Sequence, residues 1–220
     1  MKTLGVLGGM GPAATVAFLA RVQALTPAGG DADHIRVVMD MNPQVPDRNT
    51  RPGEAEAELG RMAMRLKAAG AEVLAMPCNT AHAQKPGIVA AGLPFIDMIA
   101  ATVAAAKGYD ARSIGILATP GGEALYVAAL TAAGVKPVVL QGEDRAAFMA
   151  CVYGVKRGDT GVDNRAAMTR LAGALNAAGA DAVIAGCTEV PLLLDAADVS
   201  VPLVDSAEVL ADACVRACRD

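Results

Sequence analysis

Tryptophan is absent from these 220 residues, and aromatic side chains make up only 3% of them. Without rings to stack on bases, and with a formal net charge of −4 and no run of lysines or arginines, the chain has neither the platform nor the phosphate footprint of a nucleic-acid binder. Long hydrophobic runs are missing too. The longest uncharged apolar stretch, Met98 to Ala106, falls far short of the ~18 residues a membrane span needs, so no membrane partner is expected. The opening Met1-Lys2-Thr3-Leu4-Gly5-Val6-Leu7 has the basic start and apolar run of a targeting segment. Gly8, Gly9, Gly11 and Pro12 break that run, and the same pattern recurs internally, where no targeting segment could work; the expectation is a soluble, cytoplasmic protein. Paired cysteine motifs are lacking as well. Five cysteines are an odd number, none form Cys-x-x-Cys, and His34 and His82 are the only histidines. Neither a disulfide framework nor a metal site is expected, and Cys151, Cys214 and Cys218 read as small packed residues.

What is present is said twice. Ala69-Gly70-Ala71-Glu72-Val73-Leu74-Ala75-Met76-Pro77-Cys78 reads as a helix end, a short apolar strand and a turn carrying a cysteine; Ala178-Gly179-Ala180-Asp181-Ala182-Val183-Ile184-Ala185-Gly186-Cys187 repeats it at the same spacing. Leu4-Gly5-Val6-Leu7-Gly8-Gly9 is answered by Ile114-Gly115-Ile116-Leu117-Ala118-Thr119, and Leu93-Pro94-Phe95-Ile96-Asp97 by Val201-Pro202-Leu203-Val204-Asp205. These landmarks agree on a period of roughly half the chain, far longer than the ~20–50 residues of a solenoid repeat. A period this long implies two domains of like fold: residues 1–97 with the C-terminal helix 206–220, and residues 98–205. Strands alternating with helices predict a doubly wound α/β architecture with a four-stranded parallel sheet in each pseudo-symmetric domain. Ligands of such sheets sit beyond the carboxyl ends of the strands. Cys78 and Cys187 stand at such ends, and two like domains facing each other would present both to one interdomain cleft.

Taken in order, the chain offers further candidates, each with a plainer reading beside it. Gly8-Gly9-Met10-Gly11-Pro12 leads into a helix over about 13–25; its backbone N–H groups could receive an anion, or the glycines could serve a tight turn that merely packs. A strand over 35–41 is followed by Asn42-Pro43-Gln44-Val45-Pro46-Asp47-Arg48, where two prolines stiffen a loop presenting Arg48. That arginine offers a planar fork for a carboxylate, or it pairs with Asp47 on the surface. The helix over about 54–69 carries Glu54, Glu56 and Glu58 early and Arg61, Arg65 and Lys67 late, as the macrodipole favours, and reads as a solvated face. Asn79 and Thr80 could cap the short helix after Cys78 or hold a carboxylate, and His82 is either packed or catalytic. In the second half two helices fit between Glu143 and Gly179, broken at Gly158-Asp159-Thr160-Gly161. Lys156 and Arg157, at the end of the first, could close its C-terminus or supply a second cationic anchor.

Two thiols approaching one carbon from opposite sides suit inversion of a stereocentre, one thiolate removing a proton while the other thiol returns one to the far face. Thiols ionise near ~8.5 and lower beside cations or helix N-termini, so a thiolate and a thiol can coexist near neutral pH. Gly8-Gly9-Met10-Gly11-Pro12, Pro43-Gln44-Val45-Pro46-Asp47-Arg48, Pro77-Cys78-Asn79-Thr80-Ala81-His82 and Gly186-Cys187-Thr188-Glu189 together resemble the aspartate/glutamate racemase superfamily, and its aspartate racemases above all. The resemblance runs over essentially the whole chain. It implies a cofactor-independent, two-base amino-acid racemase with Cys78 and Cys187 as the acid/base pair. It further implies α-carboxylate binding by Asn79, Thr80 and Thr188, anchors for the substrate's acidic groups in Arg48 and Lys156, and Met10, Gly11, Thr119 and Glu189 among the substrate-binding positions, Glu189 either touching the ligand or supporting a residue that does. A homodimer is implied too. Other two-cysteine chemistry, such as hydantoin racemisation or maleate isomerisation, and a two-domain protein that binds a dicarboxylate without turning it over are the alternatives.

Overall fold

The computed structural model describes residues 1–219, and these form two compact units: Met1–Ala101 joined by the C-terminal stretch from Ala207, and Thr102–Ser206. Each is built on one four-stranded parallel sheet.

The first unit runs β1 (Leu4–Gly8), α1 (Pro12–Leu25), β2 (Val37–Met41), α2 (Pro52–Ala68), β3 (Val73–Ala75), a 3-10 turn (Thr80–Gln84) that continues into α3 (Lys85–Val89), and β4 (Phe95–Ile96). Its strand order is β2-β1-β3-β4, with Gly5 aligned to Val38 on one side and Leu74 on the other. Successive side chains of a strand point to opposite faces, and here both faces are covered. Leu4, Val6, Val73 and Ala75 pack with Phe18 and Val22 of α1, whereas Leu7, Leu74 and Met76 pack with Leu59, Met62 and Leu66 of α2. β1 and β3 therefore read as continuous apolar runs, the sign of parallel strands buried on both sides, while the edge strand β2 leaves Val37 and Met39 exposed.

α4 (Met98–Lys107) follows β4 and leads into the second unit. The sequence shows this segment only as an apolar, alanine-rich run, yet a start signal is present. Asp97 accepts a hydrogen bond from the Ala100 N–H through Oδ1 at 3.1 Å and from the Ala101 N–H through its carbonyl at 3.0 Å, the work of an N-cap.

The second unit repeats the plan with β5 (Ser113–Leu117), α5 (Pro120–Ala132), β6 (Lys136–Val139), α6 (Gly142–Lys156), α7 (Val162–Ala177), β7 (Ala182–Ala185) and β8 (Leu203–Asp205), in strand order β6-β5-β7-β8. The break at 158–161 falls between α6 and α7, which pack Phe148, Val152, Met168 and Leu171 onto Leu117, Val183 and Ala185. α8 (Ser206–Arg219) then returns to the first unit, where Leu210, Cys214 and Cys218 join Leu4 and Phe18 and the Lys2 N–H bonds the Cys218 carbonyl at 2.7 Å. Among the described residues no helix is long and apolar enough to cross a membrane.

Two glycines with positive φ separate local strain from steric demand. Gly9 has φ +99° and a Cβ there would lie 2.4 Å from the Asn42 carbonyl carbon, whereas Gly134 has φ +75° with nothing within 4 Å. Gly134→Ala should therefore cost only the left-handed backbone penalty of about 1–2 kcal/mol, while Gly9→Ala should cost clearly more, because two backbones must separate. Urea unfolding of both variants checks this; equal losses would show that the Gly9–Asn42 approach yields easily.

Candidate active site

In each unit the cysteine turn begins where the strand next to β1 or β5 stops. β3 ends at Ala75, the Cys78 N–H closes a tight turn onto the Met76 carbonyl at 2.8 Å, and the backbone enters the 3-10 turn with Asn79 at its N-cap position. Cys78 and Asn79 are buried and Thr80 is half-buried. Asn79 has helical backbone angles there and makes no side-chain capping bond, so capping is not the work of its amide.

His82 holds this turn. Its Nε2 lies 3.0 Å from the Met98 backbone N–H and its Nδ1 lies 2.9 Å from the Cys78 carbonyl. A backbone N–H can only donate and a carbonyl can only accept, so Nε2 is the bare nitrogen and Nδ1 carries the proton. The ring is fully enclosed, tilted 37° against Phe95 at 5.3 Å. Burial pushes its pKa down from 6.5, the hydrogen bond to Cys78 opposing. A neutral histidine with both nitrogens occupied is a structural clamp, joining the cysteine turn to the start of α4.

Met10 packs in the same cluster as Cys78 and Val45, which brings the β1 turn and the β2 loop against the cysteine turn. Gly11 is the N-cap of α1. The Gly9 N–H is taken by Thr15 Oγ1 at 3.0 Å, and Thr15 Oγ1 donates to the Gly11 carbonyl at 3.0 Å, so a buried threonine organises this glycine turn from within. The arginine loop is anchored at both ends. Asn42 Nδ2 donates to Glu58 Oε1 at 3.1 Å; Arg65 reaches both Glu58 and Asp40 while Arg61 holds the other oxygen of Glu58. The expected solvated face of α2 is thus a network fastening the root of the loop, and the Arg65 hydrogen bond holds the Glu58 carboxyl below its usual range. At the far end Asp47 Oδ1 accepts from the Asn49 N–H at 2.8 Å and the Thr50 N–H at 2.9 Å. Asp47 serves its own turn, and among the described residues the buried Nε of Arg48 has no hydrogen-bond partner.

In the second unit Gly186 brings the backbone against Tyr126, where a Cβ would lie 2.7 Å from the ring, and its N–H bonds the Leu117 carbonyl at 2.9 Å. Cys187, Thr188 and Glu189 follow, all buried. Cys187 Sγ donates to Glu189 Oε2 at 3.0 Å, and Lys156 Nζ stands 3.8 Å from Glu189 Oε1. Lys156 is the last residue of α6, and from there its ammonium faces the cysteine turn. Thr119 is the N-cap residue of α5, half-buried, with its carbonyl taken by the Glu123 N–H at 2.7 Å. Sequence reasoning missed Glu123 and Arg145, which pair across α5 and α6. The first-turn position of Glu123 directly after Gly121-Gly122 was the available signal; its partner lies 22 residues on and carries none.

The other thiols are inert by placement. Burial pushes Cys151, Cys214 and Cys218 up, and among the described residues no group of three or more His, Cys, Asp or Glu could hold a metal ion.

Because His82 folds neutral with a lowered pKa, its contribution to stability is fully present above pH 6.5 and is lost as the pH falls below that value, where the unfolded chain takes up the proton more readily. Urea midpoints of the wild type and His82→Asn, compared between pH 7.5 and 5.5, should converge on acidification. A constant difference would contradict the neutral clamp.

The model of the Asp/Glu/hydantoin racemase family matches residues 7–214. A broad-specificity amino-acid racemase of Bacillus subtilis, RacX, is 26% identical over 221 residues, with 96% of each chain covered. The aspartate racemase of Picrophilus torridus has a TM-score of 0.89 at 27% identity, covering 100% of this chain and 95% of that one. An aspartate racemase homologue from Pyrococcus horikoshii has a TM-score of 0.83 at 22% identity over 100% of both chains, a likeness of fold. With a family model spanning nearly its whole length, two matching parallel-sheet units and a cysteine at the same strand end of each, this chain belongs to the Asp/Glu/hydantoin racemase family.

Proposed function

We propose that this protein is a cofactor-independent amino-acid racemase that interconverts L- and D-aspartate, with glutamate a further substrate, through Cys78 and Cys187. The observation that carries the reading is the equivalence of the two thiols: each is buried, and each follows the strand flanking the first strand of its sheet. A two-base reaction needs such a matched pair. One thiolate takes the α-hydrogen, the electron pair left on carbon spreads into the α-carboxylate, and the other thiol protonates the opposite face. Asn79, Thr80 and Thr188 are the donors assigned to the α-carboxylate, where the developing charge most needs preorganised hydrogen bonds. The unpaired Arg48 Nε and the loosely held Lys156 support two cationic anchors, as a dicarboxylate would require. Met10 and Gly11 beyond β1, and Thr119 beyond β5, are further substrate-binding positions of the same proposal. A cytoplasmic homodimer is part of the same proposal.

Likeness to the Picrophilus aspartate racemase supports aspartate, and the RacX likeness favours a second arm of wider amino-acid specificity. Incubation of L-aspartate, and in parallel of glutamate and neutral amino acids, in deuterated water decides between them: α-deuterated D-aspartate is expected. Absence of both deuterium and inversion on every substrate would end the racemase reading. Cys78→Ser and Cys187→Ser should each lower kcat/KM about 10²–10⁴-fold, the range for loss of a positioned acid or base. Arg48→Met should raise KM for aspartate about tenfold or more, the equivalent of a charged hydrogen bond. An unchanged KM would remove Arg48 from substrate binding.

A further inference from the structure

The two cysteine turns match in topology but differ in what surrounds them. Beside Cys187 stands a buried carboxylate: Glu189, with a side chain 5% exposed, accepts from Cys187 Sγ at 3.0 Å and from Thr188 Oγ1 at 3.4 Å through Oε2, while Oε1 faces Lys156 Nζ at 3.8 Å. Both oxygens are engaged by the protein itself. A carboxylate so placed is also poorly suited to touch an acidic substrate, whose own charge it would repel.

From this geometry we infer that Glu189 is not a substrate ligand but a positioning residue that keeps Cys187 protonated in the resting enzyme, making it the proton donor and leaving Cys78 as the base that starts the cycle. Two physical effects act in the same direction. A hydrogen bond from S–H to a carboxylate favours the thiol, and a negative charge within contact distance opposes formation of a thiolate. Lys156 moderates both by standing on the far oxygen. Charged groups on neighbouring elements include the Glu123–Arg145 pair of α5 and α6 and the Asp144–Arg170 pair of α6 and α7, each of opposite sign, and Asp205, aligned with Ala185 across β7 and β8, whose charge is of the same sign as that of Glu189.

The catalytic consequence rests on the racemase reading. The enantiomer whose α-hydrogen faces Cys78 meets an enzyme already in the required state. Cys78 S⁻ takes that hydrogen, breaking C–H and forming S–H; Cys187 S–H gives its proton to the opposite face and becomes the thiolate. Solvent then returns a proton to Cys187 and removes one from Cys78, restoring the resting form. The other enantiomer requires the swapped form, which Glu189 disfavours, so kcat and KM are both higher for it while kcat/KM is the same for both, as an equilibrium constant of one demands.

The protonation state can be read without any substrate. In protein labelled with ¹³Cβ-cysteine, the Cys187 resonance, assigned with Cys187→Ser, is titrated by NMR in wild type, Glu189→Gln, Glu189→Asp and Lys156→Met. The Cys187 midpoint should fall by at least about one pH unit in Glu189→Gln, stay near the wild-type value in Glu189→Asp, which keeps the charge, and rise in Lys156→Met. An unmoved midpoint in Glu189→Gln overturns the inference; should that variant fail to fold, an unmoved or lowered midpoint in Lys156→Met does so. A chain with the expected shifts but no turnover on any amino acid would overturn the racemase reading and leave the assignment of Cys187 as the resting thiol standing.

Discussion

The chemistry of this chain hangs on where short parallel strands stop. β3 and β7 are each sandwiched between strands and covered by helices, so their backbone groups are all committed until the final residue. Beyond it the backbone must turn away, and its groups become available for hydrogen bonding outside the ladder. Alternation along the same strands sends Val73 and Ala75 to one helical layer and Leu74 and Met76 to the other. Slipping the register by one residue would exchange those sets and move Cys78 with them. Burial of the sheet on both faces thus determines the position of a thiol several residues downstream.

The two units solve the same problem of holding a cysteine turn by different means. In the first, a neutral histidine spans from the Cys78 carbonyl to the first turn of α4, using two backbone partners and leaving no charge in the buried space. In the second, a carboxylate reaches the sulfur itself and is steadied by a lysine from α6. Duplicated folds keep their strand order because the sheet demands it. Their turn residues are free to diverge, and an asymmetric environment for two chemically identical side chains is the result.

Much of the architecture was legible because the repeat is carried by residues with strong local meaning: Ala-Gly pairs at helix ends, runs of valine, isoleucine and leucine, Pro12 and Pro120 at helix starts. α4 was missed because its composition, almost all alanine and β-branched residues, has no amphipathic period; only Asp97 marked its start. The site was legible in part. Cys78 and Cys187 stood out through duplication and Arg48 through its stiff loop. The unpaired Arg48 Nε, the hold of Glu58 on Asn42, and the pairing of Glu123 with Arg145 were not, because each depends on which atoms of distant segments meet.

By itself, then, the amino-acid sequence determined two α/β halves and a thiol at one strand end in each, because strand periodicity and glycine-marked helix ends are local properties readable over ten residues. Only the tertiary structure decided what each polar side chain is for. His82 became a clamp, Asp47 a turn-former and Glu189 the acceptor of the Cys187 proton, since hydrogen-bond roles follow from the partner within about 3 Å and that partner is chosen by packing.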